Sequence, residues 1–219
     1  MCFEVERRMR WSVAVGIAVV ASFAGSSLAD LSNGAFEAGN LSGWTLVLPT
    51  SGNPFAGAVT GYPSVTPSWT ASEGSYFALL KTDGSGSFTQ LYRSFDASAG
   101  DTLSLDFFWD ADGDPTKRND LADGRILSGA DLSGALVTTL FTRSVQDYPD
   151  SPSWESVSYL FTTPGTHTYT LLFEIENMGS AANDSHIGID NVHLVPIPAA
   201  VLLGMLGLAA AGLKLRKFV

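Results

Sequence analysis

Thr168-Tyr169-Thr170-Leu171-Leu172-Phe173-Glu174-Ile175 is the stretch that decides the fold. Tyr169, Leu171, Phe173 and Ile175 fall on one side of a two-residue repeat, with Thr168, Thr170 and Glu174 on the other. Successive side chains of a strand point to opposite faces, so this is a strand with one apolar face and one polar face. Leu103, Leu105, Phe107 and Trp109 repeat the pattern against Thr102, Ser104 and Asp106, and Trp44, Leu46 and Leu48 begin another. Residues 76–80, 88–95, 136–141 and 156–161 supply further short runs. Asp83-Gly-Ser-Gly86, Ser98-Ala-Gly-Asp101 and Thr163-Pro-Gly165 are turn clusters between them. No stretch of this region sustains a helical period. Eight to ten strands in about 165 residues predict an all-β domain over 30–194, a two-sheet antiparallel β-sandwich.

The last strand carries a conflict. In Ile187-Gly-Ile-Asp-Asn-Val-His-Leu194, Ile187 and Ile189 share one parity and Val192 and Leu194 share the other. A regular strand cannot bury both pairs on one side, because a one-residue shift flips every side chain. A bulge at Asp190-Asn191 resolves it and re-aims a side chain.

The two ends of the chain read as addresses. Arg7, Arg8 and Arg10 precede an apolar run from Trp11 to Ala24, and Ser27-Leu28-Ala29 ends it with small residues. This predicts a signal peptide over 1–29, removed by signal peptidase. Cys2, the single cysteine, leaves with it, so the exported chain has no disulfide and no thiol chemistry. At the other end stand Val195, Pro196, Ile197, Pro198 and Ala199, then an uncharged run to Leu213, then Lys214-Leu-Arg-Lys217. Residues 199–213 as a helix span about 22 Å at about 1.5 Å per residue, short of a comfortable span unless flanking residues contribute or Lys214 snorkels. The basic end is expected to stay cytoplasmic.

Motif 195–200, transmembrane helix 199–213 and basic tail 214–219 together resemble the PEP-CTERM class of sorting signals, closest to its VPLPA variant and departing from it at Ile197. The resemblance implies a Gram-negative bacterium, an exosortase-type sorting enzyme as partner and transient anchoring in the inner membrane. Delivery to the cell surface or extracellular matrix follows, with exopolysaccharide as an expected partner there. A permanent membrane anchor without processing is the other reading of the same tail.

Charge narrows the partners of the exported part. Without Glu4, Glu6, Arg7, Arg8 and Arg10 in front and Lys214, Arg216 and Lys217 behind, 20 acids face 6 bases, a net charge near −14. A nucleic acid would be repelled. Calcium is a natural counter-ion for such a chain outside the cell.

Asn33-Gly-Ala-Phe-Glu37 with Gly43-Trp44 opens the domain, and Asp190-Asn-Val-His-Leu194 closes it. This pairing resembles the jelly-roll domains of carbohydrate-binding modules and related bacterial surface proteins. The resemblance implies that the two motifs lie side by side and that Glu37 and Asp190 hold a structural Ca2+. The bland alternative is that Glu37 caps a turn and Asp190 bonds to backbone. Asp110, Asp112 and Asp114 form a second acidic spot, but Leu121 stands at the twelfth position of that loop, where an EF-hand needs Glu. A solvated loop is the plainer account.

Sugar rings stack on exposed aromatics, and Trp69, Tyr148 and Trp154, with Tyr62, stand near Pro-containing loop sequence. Core or loop packing competes with that role for each; Trp44 and Trp109 are expected core residues. Catalysis is not expected. His167, His186 and His193 have no ligand spacing, and there is no G-x-S-x-G turn. No carboxylate pair is picked out by spacing for glycoside hydrolysis, and Asp184-Ser185-His186 puts neighbours on opposite faces of a strand. The expectation is a non-enzymatic, calcium-stabilised surface or matrix protein associated with glycan, the alternative a calcium-dependent lectin or adhesin.

Overall fold

The computed structural model describes residues 31–63, 68–83, 86–111, 120–147, 150–178, 184–197 and 204. Those up to Pro196 belong to one compact unit. Ten strands run β1 (Thr45–Val47), β2 (Phe55–Val59), β3 (Phe77–Lys81), β4 (Ser87–Ser98), β5 (Thr102–Asp110), β6 (Leu121–Ser128), β7 (Leu136–Ser144), β8 (Glu155–Leu160), β9 (Thr166–Asn177) and β10 (His186–Val195). They form two antiparallel five-stranded sheets, ordered β1-β4-β9-β6-β7 and β2-β3-β10-β5-β8. The fold is a β-sandwich of the jelly-roll type.

The strand that announced the fold lies at the centre of the first sheet. β9 pairs with β4 along its whole length, Ser87 opposite Asn177 through Ser98 opposite Thr166, and with β6 on its other side. Tyr169, Leu171, Phe173 and Ile175 point into the core, where they meet Leu103, Leu105, Phe107 and Trp109 of β5 from the opposite sheet. Each buried aliphatic or aromatic side chain contributes roughly 1.5–3 kcal/mol over its exposed state. Trp44 and Trp109 are both core residues. Phe141 stacks on Phe107 with centroids 4.0 Å apart, and Phe36 and Trp44 pack at 5.4 Å.

The parity conflict in β10 resolves as the sequence demands. Pairing with β5 is regular from His186 to Asp190, shifts, and resumes at His193. Asn191 sits at the shift with φ 51°, a left-handed value that asparagine tolerates better than most residues. Ile187, Ile189, Val192 and Leu194 all enter the same core. The opening motif lies against this bulge: the Val192 amide donates to the Gly34 carbonyl at 3.2 Å. A Cβ on Gly34 would lie 1.9 Å from the Val192 carbonyl oxygen, so only glycine fits the approach. Asn33 organises the same segment, its side chain bonding Ala38, Asn40 and Ser42 while its carbonyl accepts the Trp44 indole N–H at 3.2 Å.

The structure departs from the expected strands in three places. β2 and β6 were not legible as strands. The strand begun at Trp44 is a three-residue edge strand with Leu46 and Leu48 exposed; only Trp44 reaches the core. Residues 1–29, most of the sorting tail including Pro198 and Ala199, Tyr148, Asp112 and Asp114 lie outside the described residues. No helix among the described residues is long and apolar enough to cross a membrane.

Candidate functional site

The two outer faces of the sandwich carry different chemistry, and strand parity explains both. On the second sheet, Phe77 and Leu79 of β3 and Phe108 of β5 point away from the main core. Gly188 of β10 lies beside Phe108, and a Cβ there would meet the Phe108 ring at 2.0 Å. Glycine thus makes the shelf on which that ring lies. Trp69 stacks on Phe108 at 4.0 Å and 5°. It is brought there by paired backbone bonds between Tyr62 and Trp69, both 2.9 Å. Trp154 closes the group edge-on, 4.9 Å from Phe108 and 5.9 Å from Trp69, its indole N–H donating to the Thr70 carbonyl at 2.9 Å.

This arrangement corrects one expectation. Trp69 is 5 % exposed and offers no open face to a sugar ring, because it covers the outer side of the second sheet. Trp154 is half-buried in the same cluster. Tyr62 lies 2.9 Å from His186 Nδ1 through its hydroxyl. Asp184, Ser185 and His186 go to three separate partners: Lys81 at 2.7 Å, Asp120 at 2.7 Å and Tyr62. They do not form a catalytic relay. Asp110 is buried in β5 opposite His186.

Glu37 and Asp190, read as calcium ligands, converge on one turn, residues 72–76. Asp190 Oδ2 accepts the amides of Ser72 at 2.8 Å and Glu73 at 3.1 Å, and Oδ1 accepts its neighbour Asn191 at 2.7 Å. Glu37 Oε1 accepts Ser75 at 2.8 Å and Tyr76 at 2.9 Å. Burial holds the Asp190 carboxyl above the usual carboxylate range, an effect its amide donors oppose. Ser72 Oγ stands 3.0 Å from Asp190 Oδ2 and also 3.0 Å from Asp106 Oδ2, and its single proton serves one of them. Asn191 Nδ2 and Ser156 Oγ donate to Asp106. The amides that reach Asp190 and Glu37 turn N–H groups toward them, the polarity a cation repels, and the neighbouring carboxylate of Asp106 is itself met by the Asn191 and Ser156 donors. Among the described residues no three His, Cys, Asp or Glu side chains are placed to hold a metal ion. Glu37 and Asp190 as they stand do not fit a shared calcium ion.

The outer face of the first sheet carries a polar row that sequence reasoning missed. Gln90 of β4, Glu174 of β9, Asp123 of β6 and Thr142 of β7 stand opposite one another across four strands. Gln90 Nε2 donates to Glu174 Oε2 at 2.9 Å, and Thr142 Oγ1 to Asp123 Oδ1 at 2.6 Å. Arg125 closes the row, pairing with Glu174 Oε1 at 2.7 Å and with Asp123. Asp123 is 2 % exposed and Glu174 7 %, so this pairing answers the demand that buried charge be matched. One step along β4 and β9, Phe88 is 40 % exposed opposite Glu176. Burial and the charge of Glu174 raise the Glu176 carboxyl above its usual value. One step the other way, Tyr92 stands opposite Leu172.

No protein-family model matches the chain, and no curated protein matches it. Solved structures do. The enzymatically active domain of tailspike protein 4 from bacteriophage CBA120 is 18 % identical, with a TM-score of 0.45, over 75 % of this chain and 21 % of that one. A carbohydrate-binding module of the β-sandwich superfamily, described for promiscuous specificity, is 15 % identical with a TM-score of 0.48, over 78 % and 62 %. This chain thus spans about a fifth of the first and under two thirds of the second. A family 27 carbohydrate-binding module of Caldicellulosiruptor saccharolyticus, in complex with mannohexaose, is 12 % identical with a TM-score of 0.49, over 78 % and 98 %.

Proposed function

We propose that the domain is a non-enzymatic, glycan-associated module of an exported surface protein, and that the outer face of the first sheet holds the sugar. The observation that supports this is the row Gln90, Glu174, Arg125, Asp123 and Thr142, flanked by the exposed ring of Phe88. Gln90, Arg125 and Thr142 are the accessible members of that row, and their amide, guanidinium and hydroxyl groups suit the adjacent hydroxyls of a sugar, while the buried carboxylates of Asp123 and Glu174 hold them in place. Their mutual bonds fix them before a ligand arrives, so little ordering is left to be lost on binding. An aromatic ring beside them receives the C–H face of a pyranose.

Delivery belongs to the same proposal. Signal peptidase removes 1–29, residues 199–213 hold the chain in the inner membrane, and an exosortase-type enzyme cuts near Pro196 to Pro198. The domain then stands at the cell surface or in the matrix of a Gram-negative bacterium, with exopolysaccharide as its partner. A permanently anchored protein would instead retain Lys214 to Val219, which an intact mass of the exported protein reads directly.

The binding test is titration of the protein with the producer's own exopolysaccharide. Wild-type protein is expected to bind, and Gln90→Ala and Phe88→Ala to weaken binding at least about tenfold, the equivalent of about 1.4 kcal/mol. Both variants should keep the wild-type unfolding midpoint within the small range of surface substitutions. Folded wild-type protein that binds no glycan would overturn the proposal.

A further inference from the structure

We infer that Glu37 and Asp190 form a metal-free clasp, in which the opening segment and the closing strand grip a single turn through its backbone amides, so that the domain keeps its structure without calcium. The clasp stands independently of the glycan reading. Its geometry is specific. Three amide N–H groups reach Asp190 and two reach Glu37. The two carboxylates share the turn without competing, Asp190 taking Ser72 and Glu73 and Glu37 taking Ser75 and Tyr76.

Gly74 lies between the two pairs, with φ 68°, and a Cβ there would stand 2.4 Å from the Glu37 carboxylate. The turn is therefore shaped to let the carboxylate approach its amides closely. A carboxylate that accepts backbone N–H groups makes charge-assisted bonds, about twice as strong as neutral ones. Calcium needs six to eight oxygens around it, and an amide N–H supplies none. To seat the ion, the turn would have to rotate away and expose carbonyls where its amides now point. The clasp also explains why the two motifs occur together: β10 brings Asp190 to one end of the turn, while the segment bonded to Val192 through Gly34 brings Glu37 to the other.

The test uses the full chain in mild detergent, with its melting temperature measured in excess EDTA and in excess calcium chloride, and calcium binding measured by calorimetry. The expected result is the same melting temperature in both and no stoichiometric calcium binding. Asp190→Asn and Glu37→Ala should each lower the melting temperature by several degrees, equally with and without calcium. A wild-type melting temperature that falls in EDTA and returns with calcium would overturn the clasp, as would one bound calcium per chain that Asp190→Asn abolishes. Calcium bound with equal stoichiometry by wild type and both variants, all melting alike in EDTA and calcium, would place the ion elsewhere and support it. Because the wild-type comparison needs no variant, failure of either variant to fold leaves the test intact.

Discussion

The outer face of the second sheet and the outer face of the first begin from the same geometry and end as opposites. Each is the side of a five-stranded sheet turned away from the shared core. On the second, Phe77, Leu79 and Phe108 are capped by Trp69 and Trp154 into an additional apolar layer. On the first, Gln90, Glu174, Arg125, Asp123 and Thr142 are tied into a polar row beside an exposed phenylalanine. One face is closed by aromatics and adds stability; the other displays Gln90, Arg125 and Thr142, fixed by the buried carboxylates of Asp123 and Glu174. A sandwich that binds a ligand needs both, because a polar surface holds its shape only if the sheet beneath it cannot rearrange.

The largest effect expected from breaking this contrast is Phe108→Ala. Phe108 is fully buried beneath Trp69 and beside Gly188, so its removal should cost about 3–5 kcal/mol in urea unfolding. Trp69→Ala is expected to fall in the same class, with glycan affinity unchanged in whatever fraction remains folded. If Trp69→Ala instead left the unfolding midpoint in place and abolished glycan binding, the roles of the two faces would be reversed.

Arg125→Ala is the next step down. It leaves Asp123 and Glu174 facing one another across β6 and β9, both almost fully buried, without their cation. Breaking one partner of a buried pair costs about 3–5 kcal/mol when fully enclosed, but the arginine is itself about a third exposed, so about 1–3 kcal/mol is expected. Adding Asp123→Asn to Arg125→Ala should recover part of that loss, since it removes one of the two uncompensated charges. A double variant no more stable than Arg125→Ala would show that the row is not held by charge pairing.

The core between these two faces was legible in the sequence; the contrast of the faces was not, for a physical reason. The apolar parity of 169–175 and 103–109 named the core, and the clash of parity between Ile189 and Val192 placed the bulge. Both are local signals carried by one strand. The polar row was not legible because its members come from four strands, and only the register brings residues as far apart as Gln90 and Glu174 together. β6 was missed because its core-facing positions include Ala122 and Gly124, too small to mark a face. There, Gly124 makes room for the Phe141 ring, which a Cβ would meet at 2.4 Å. The sequence does carry a signal for the burial of Trp69: Phe107-Phe108-Trp109 places aromatics on both faces of one strand, which demands a cover on the outer side. Pro67 beside Trp69 suggested an exposed loop instead.

The smallest effect sharpens the contrast by pH. The Glu176 carboxyl is raised by burial and then by the charge of Glu174, two positions away on the same face of β9. The folded protein therefore holds the Glu176 proton more tightly than the unfolded chain does. The stability this confers is complete below the ordinary glutamate value of 4.5 and is lost as pH rises through the raised folded value. Glu176→Gln is neutral at every pH, so it should match the wild type near pH 4 and be the more stable at pH 7. Glu176 is only half-buried and water screens its charge, so the gain should be about 2 °C or less in melting temperature. Equal melting temperatures at both pH values would mean that Glu174 is already neutralised by Arg125 as seen from Glu176. A gain at pH 4 as well would point to packing against Phe88 or Leu121, its cross-strand neighbours, instead of charge. The second sheet offers the control: Leu79→Ala should lower the melting temperature by a similar amount at either pH, because Trp69, Phe77 and Phe108, the buried residues of its cluster, do not titrate.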